Sequence, residues 1–272
     1  MFYQCPPLLQ EAVRLNEQAI ALALMKDHCD PTNAAIERFT DALKLLKQFL
    51  SGTPKHQNLF QSNDLSPRFI IGTHSLGEYL LKDDTNQGQD FVLFKNLLSF
   101  QPQEDIQALT GSEIQLCCGT VLFNLAITYH QSYMVCSSSP DGTNQTPNPG
   151  YLSPRATLKK ANRLYDMIPE LLADCHHNLL LLVQLVAMNN RTHLHLQQGQ
   201  WVQAQLGFAA VARLAEQIPN TNLEPQEFLC DDEESHDVAT SSSSLGLIQD
   251  INIRGMLLNA AATLGQITAP AA

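Results

Sequence analysis

The sequence predicts an all-α protein made of antiparallel helix pairs, with one β-hairpin-sized insertion after the first pair. Three observations carry this. Apolar residues recur at spacings of three and four over most of the 272 residues. Proline, glycine and polar clusters punctuate those stretches at helix-length intervals. Only residues 68 to 100 hold short runs of β-formers instead: Phe69-Ile70-Ile71, Tyr79-Leu80-Leu81 and Phe91-Val92-Leu93-Phe94.

The elements follow in order. Residues 6 to 27 read as a helix with Leu8, Ala12, Leu15, Ala19, Leu22 and Ala23 on its apolar face, and Pro6 and Pro7 suit its start. Asp30-Pro31-Thr32 is a turn. Residues 32 to 50 form the second helix, with Ile36, Phe39, Leu43 and Leu46 on one face, stopped by Ser51-Gly52-Thr53-Pro54. A link of a few residues makes these two an antiparallel pair. Residues 51 to 111 form the insertion, a polar loop followed by the hairpin region. Residues 112 to 133 return to helix through Ile114, Val121, Leu122, Leu125, Ala126 and Tyr129. The stretch 136 to 154, rich in proline and serine, is expected to be a disordered loop. Helices are expected over 155 to 168, 171 to 198 and 200 to 217, the last two separated at Gln198-Gly199-Gln200. Residues 220 to 244, with Asp231-Asp232-Glu233-Glu234 and Ser241 to Ser244, are expected to be disordered. A final helix, about 245 to 266, carries Ile248, Ile251, Leu258 and Ala262, and Gly255 weakens its middle. The whole is one domain, 1 to 272.

Composition excludes several classes. Apolar residues make up 44% and charged residues 16%, so a core is available. The formal net charge of -11 repels phosphate backbones and argues against nucleic-acid partners. No 18-residue apolar run is present, so no membrane span is expected. The N-terminal residues lack a charged region followed by an apolar one, so no secretory signal is expected, and an intracellular, cytoplasmic setting follows. The seven cysteines include no C-x-x-C pair and are expected as free, mostly buried thiols. His193 and His195, two apart, fall on different sides of a helix, and Cys175-His176-His177 has no ligand at i+4. No metal and no other cofactor is expected.

Two strings resemble known families. Gly199-x-Trp201-x-x-Ala204-x-x-x-Phe208-x-x-Val211 resembles a tetratricopeptide (TPR) repeat. Gly199 permits the tight turn between helices. Trp201 is expected to pack into the angle between them, and Ala204 is small where the partner helix crosses closest. The same ladder recurs as Ala35-x-x-x-Phe39-x-x-Ala42, and as Leu122-x-x-Leu125-Ala126-x-x-Tyr129 with its partner Ala161-x-x-x-Tyr165-x-x-Ile168. The period departs from the regular 34 of that family. The resemblance implies a short α-solenoid whose first helices line a concave, partner-binding surface. It also implies Asn at one groove position, here Asn124 two residues after Leu122 and Asn190 two residues after Met188. Phe123, Ile127, Asn189 and His193 would share that surface. The first block has Ala21 at the Asn place. Ile20, Leu24 and Val186 stand where chaperone-binding relatives carry basic residues, so an acidic chaperone tail is not expected as ligand. The expected role is binding a protein or peptide, without catalysis, and a purely structural scaffold subunit is one alternative.

The second string, Gly72-Thr73-His74-Ser75-Leu76-Gly77-Glu78-Tyr79, resembles the nucleophile elbow of malonyl-CoA:acyl-carrier transacylases. That resemblance implies Ser75 as a nucleophile of an acyltransferase or hydrolase, the other alternative. An elbow needs Gly two residues before the Ser, and Thr73 stands there. The Arg that the family places in the following helix is missing as well, since no Arg occurs between Arg68 and Arg155. The sequence therefore predicts no catalysis at Ser75.

Overall fold

In the computed structural model, the residues described are 7–25, 31–52, 69–76, 93–102, 111–137, 153–173, 178–218 and 256. They form six helices and a two-stranded sheet: α1 (Pro7–Leu24), α2 (Pro31–Gly52), β1 (Phe69–Ser75), β2 (Asn96–Pro102), α3 (Gly111–Ser137), α4 (Pro154–Leu171), α5 (Asn178–Gln197) and α6 (Trp201–Ala215). The helices pack as adjacent pairs, α1 with α2, α3 with α4 and α5 with α6. Successive pairs stack through α2 on α3 and α4 on α5, and α3 also touches α5. Strand β2 lies against α1 and α3.

The second helices are one-sided. On α4 only Thr157, Ala161, Tyr165 and Ile168 are buried, a stripe at spacings of four and three. Ser153 caps this helix by accepting a hydrogen bond from the Ala156 N–H, and Pro154 occupies the first turn, where no N–H is needed. The α6 stripe is Ala204, Phe208, Val211, Leu214 and Ala215. The first helices of the later pairs are different. Every residue of α3 from Leu116 to Gln131 is buried, the polar Asn124, Thr128 and His130 included. Most of α5 is buried too, because it lies between α4, α6 and α3. A helix enclosed on all sides loses its sequence stripe, which is why the periodicity of 112 to 133 shows only part of the buried set.

The α5–α6 turn is built on Gly199, whose φ of 68° lies in the left-handed region. Its N–H donates to the Leu196 carbonyl (2.9 Å) and the Gln200 N–H to the His195 carbonyl (2.9 Å). This is the paired bonding of a Schellman helix end. Beyond the turn, α6 comes so close to α5 that a Cβ on Gly207 would lie 2.2 Å from the Thr192 Oγ1. Gly207 is therefore a point of close approach, and Ala204, expected at the crossing, is fully buried three residues earlier.

Strands β1 and β2 pair antiparallel, with Thr73 opposite Leu98 and Ser75 opposite Asn96. The apolar run 69 to 71 begins β1. Residues Leu93 and Phe94, expected as strand, lead into β2 rather than lying inside it, and the expected strand at 79 to 81 falls outside the described residues. The expected loop at 136 begins slightly late, since α3 continues to Ser137. The rest of that loop, the acidic 220 to 244 stretch and the last helix also lie outside, apart from Met256, which is buried with the core.

One packing expectation is corrected. Trp201 is 49% exposed, not buried between helices. Side chains lean toward the helix N-terminus, so a ring on the first residue of α6 hangs past the helix end. Ala204, Phe208 and Val211 fill the interhelix space instead. Trp201→Ala should therefore cost less than about 1 kcal/mol, whereas Phe208→Ala should cost about 3–5 kcal/mol. Urea unfolding of both variants checks the order; a larger loss for Trp201→Ala reverses the packing assignment.

Candidate functional site

All six residues expected on a partner-binding surface, Phe123, Asn124, Ile127, Asn189, Asn190 and His193, are buried. Residues 93 to 98 of the same chain stand against three of them, Phe123, Asn124 and Asn190. Asn124 on α3 takes up both main-chain groups of Leu98. The Leu98 N–H donates to the Asn124 Oδ1 (2.8 Å), and the Asn124 Nδ2 donates to the Leu98 carbonyl (2.7 Å). Asn190 on α5 treats Phe94 in the same way, at 3.0 Å and 2.8 Å. One amide thus offers a donor and an acceptor to a single residue, as a facing antiparallel strand does at a hydrogen-bonded pair. Residues 94 and 98 are four apart, so the two grips sit about 13 Å apart along extended chain and act on one edge of it. The opposite edge faces β1, where the Leu76 N–H donates to the Lys95 carbonyl (3.3 Å).

A third amide joins them. Asn16 on α1, completely buried, accepts from the Asn124 Nδ2 (3.0 Å) and donates to the Leu98 carbonyl (3.4 Å). Sequence reasoning looked for the first-block amide at Ala21 and missed Asn16. The available signal was an asparagine in mid-helix one residue after the apolar Leu15, as Asn124 follows Phe123. The segment therefore crosses the first helices in the order α5, α3, α1.

Around the grips the wall is aromatic. The Phe94 ring lies 5.7 Å from that of Phe123, which lies 6.1 Å from Tyr165. The Tyr165 hydroxyl accepts from the Asn190 Nδ2 (3.4 Å), and burial holds its pKa above the ordinary value. Asn189 donates to the Asn190 Oδ1 (3.4 Å), steadying the amide. Behind this wall the His130 ring meets Tyr165 edge-on at 6.2 Å and His193 at 5.9 Å. Burial, and then the neighbouring His193, push the His130 pKa down to about 3.

Other candidates are placed as follows. Ser75 ends β1 in an antiparallel pair, and the residues from Gly77 on, where an elbow would need its helix, lie outside the described residues. Cys117 and Cys118 are buried and stand in no disulfide, and burial pushes the Cys118 thiol up to about 12. Among the described residues no three His, Cys, Asp or Glu side chains stand together for a metal, and no helix is long and apolar enough to cross a membrane. Comparisons of the chain with protein-family models, with curated proteins and with solved structures each find no match.

Two expectations follow. Asn124→Ala leaves the Leu98 N–H and carbonyl buried without their strongest partner, so it should destabilise the chain by about 2–4 kcal/mol; urea unfolding checks it, and a loss below about 0.5 kcal/mol would remove the amide ladder from the structural core. His130 binds its proton in the unfolded chain near its ordinary pKa but in the folded one only near 3. The resulting stability is complete above about pH 6.5 and is lost as pH falls toward 3, at up to about 1.4 kcal/mol per pH unit. Between pH 7.5 and pH 5, His130→Phe should therefore lose about 2 kcal/mol less than wild type in the same assay. Equal losses would show that His130 does not titrate this way.

Proposed function

We propose that this chain is a TPR-like helical-repeat module that binds a protein or peptide and carries no catalytic chemistry of its own. The observation that supports this is the amide ladder. First helices of successive pairs present asparagines that grip an extended main chain through its N–H and carbonyl groups. Such a surface is suited to polypeptide and reads backbone rather than sequence. The acidic net charge and the missing basic residues at Ile20, Leu24 and Val186 favour an apolar ligand over an acidic tail. An intracellular, cytoplasmic setting fits the buried thiols of Cys117 and Cys118, which stand in no disulfide.

A purely structural scaffold subunit is the second reading, favoured by the fact that the ladder is filled by the chain's own strand. A further surface is available in either case, since Val202 and Leu206 are 63% and 65% exposed on α6. Affinity capture from native cell extract, followed by titration of the captured polypeptide, tests the proposal. The expected result is a saturable complex with a Kd of about 1 μM or tighter. A folded chain that retains no polypeptide above the bait-free control overturns it. Labelling of wild type but not Ser75→Ala by a fluorophosphonate probe would instead establish acyl-transfer chemistry.

A further inference from the structure

Residues 93 to 98 are held as a bound peptide would be. Their contacts with the helices come from backbone groups gripped by Asn124, Asn190 and Asn16, and from an aromatic anchor, Phe94, set against Phe123. Leu93, Leu97 and Leu98 are buried beside it. On its other edge, among the described residues, the segment pairs with β1, which makes a sheet of two strands. The grip itself needs an extended chain with a free N–H at two positions four residues apart, an aromatic side chain at the first and an aliphatic one at the second. Nothing in it requires that chain to be covalently attached.

We propose that residues 93 to 98 are an intramolecular occupant of the groove, and that an extended peptide with an aromatic residue four places before an aliphatic one displaces them in trans. This rests on the peptide-binding reading above and adds its ligand class and its regulation. Opening is opposed by the burial of Leu93, Phe94, Leu97 and Leu98 and favoured by the chain entropy recovered when the hairpin leaves. Local openings of this kind cost less than global unfolding. An incoming peptide replaces the same hydrogen bonds, so the buried amides are never left unpaired at equilibrium.

Two measurements test this. Hydrogen exchange on the wild-type chain compares the amides of Phe94 and Leu98 with that of Ile127 in the middle of α3. At least ten-fold faster exchange at 94 and 98 is expected; exchange at the same rate as Ile127 means that the hairpin leaves only when the chain unfolds, and overturns the proposal. The second uses a fluorescent peptide of residues 92–100, blocked at both ends. It should bind the full chain carrying Phe94→Ala at least ten-fold more tightly than wild type, because the internal competitor has lost its anchor. The same peptide N-methylated at Leu98 should bind at least ten-fold more weakly. If the Phe94→Ala chain keeps its helical circular dichroism and cooperative melt yet binds neither peptide, the groove is not exchangeable. If that variant does not fold, the exchange rates of the wild type decide. A chain that captures a partner from extract while 94 and 98 exchange with the core retains its binding role and loses this one.

Discussion

Burying an extended strand requires that both of its edges be hydrogen-bonded, and the rest of this structure is arranged around that requirement. A buried main-chain group left without a partner costs about 1–3 kcal/mol. One edge of residues 94 to 98 is met by β1. The other faces helices, whose own main-chain groups are already used within them. Only side chains can complete that edge, and asparagine alone among short side chains offers a donor and an acceptor in one plane, spaced as a peptide group is. Asn124 and Asn190 therefore stand in for a missing strand, and Asn16 ties the first to α1.

This arrangement spans the helix pairs, which also pack directly on one another. Each grip comes from a different pair, so the segment acts as a cross-tie over α5, α3 and α1. It also explains the polar content of the middle of α3 and α5. Asn124, Thr128 and His130 are buried on one, and Asn189, Asn190 and His193 on the other. Thr128 returns its hydroxyl to the Asn124 carbonyl (2.7 Å) and so adds no unsatisfied group. His130 stays neutral at physiological pH, because its burial makes the charged form expensive. Polar side chains within a packed wall are tolerable only when they are paired or neutral in this way.

The same arrangement bears on function. A groove filled by its own chain is a stable fold element when the occupant never leaves, and a controlled binding site when it does. The exposed ring of Trp201 with Val202 and Leu206 on α6 is a separate apolar feature on the last described helix, distant from the ladder in its role.

The amino-acid sequence by itself determined where the helices lie. Periodicity of three and four, with Pro31, Gly52, Pro154 and Gly199 at the breaks, placed α1, α2, α4 and α6 within a few residues, since those signals act on the local chain. It also located the insertion and the amides Asn124 and Asn190, because a resemblance in mid-helix marked them. Only the tertiary structure decided what those amides hold. Their partners, Leu98 and Phe94, are 26 and 96 residues away, and no local pattern relates them. Asn16 became part of the ladder through a partner 108 residues distant. The strand register and the exposure of Trp201 were settled in the same manner, by which neighbours occupy the space beside a residue rather than by the residue itself.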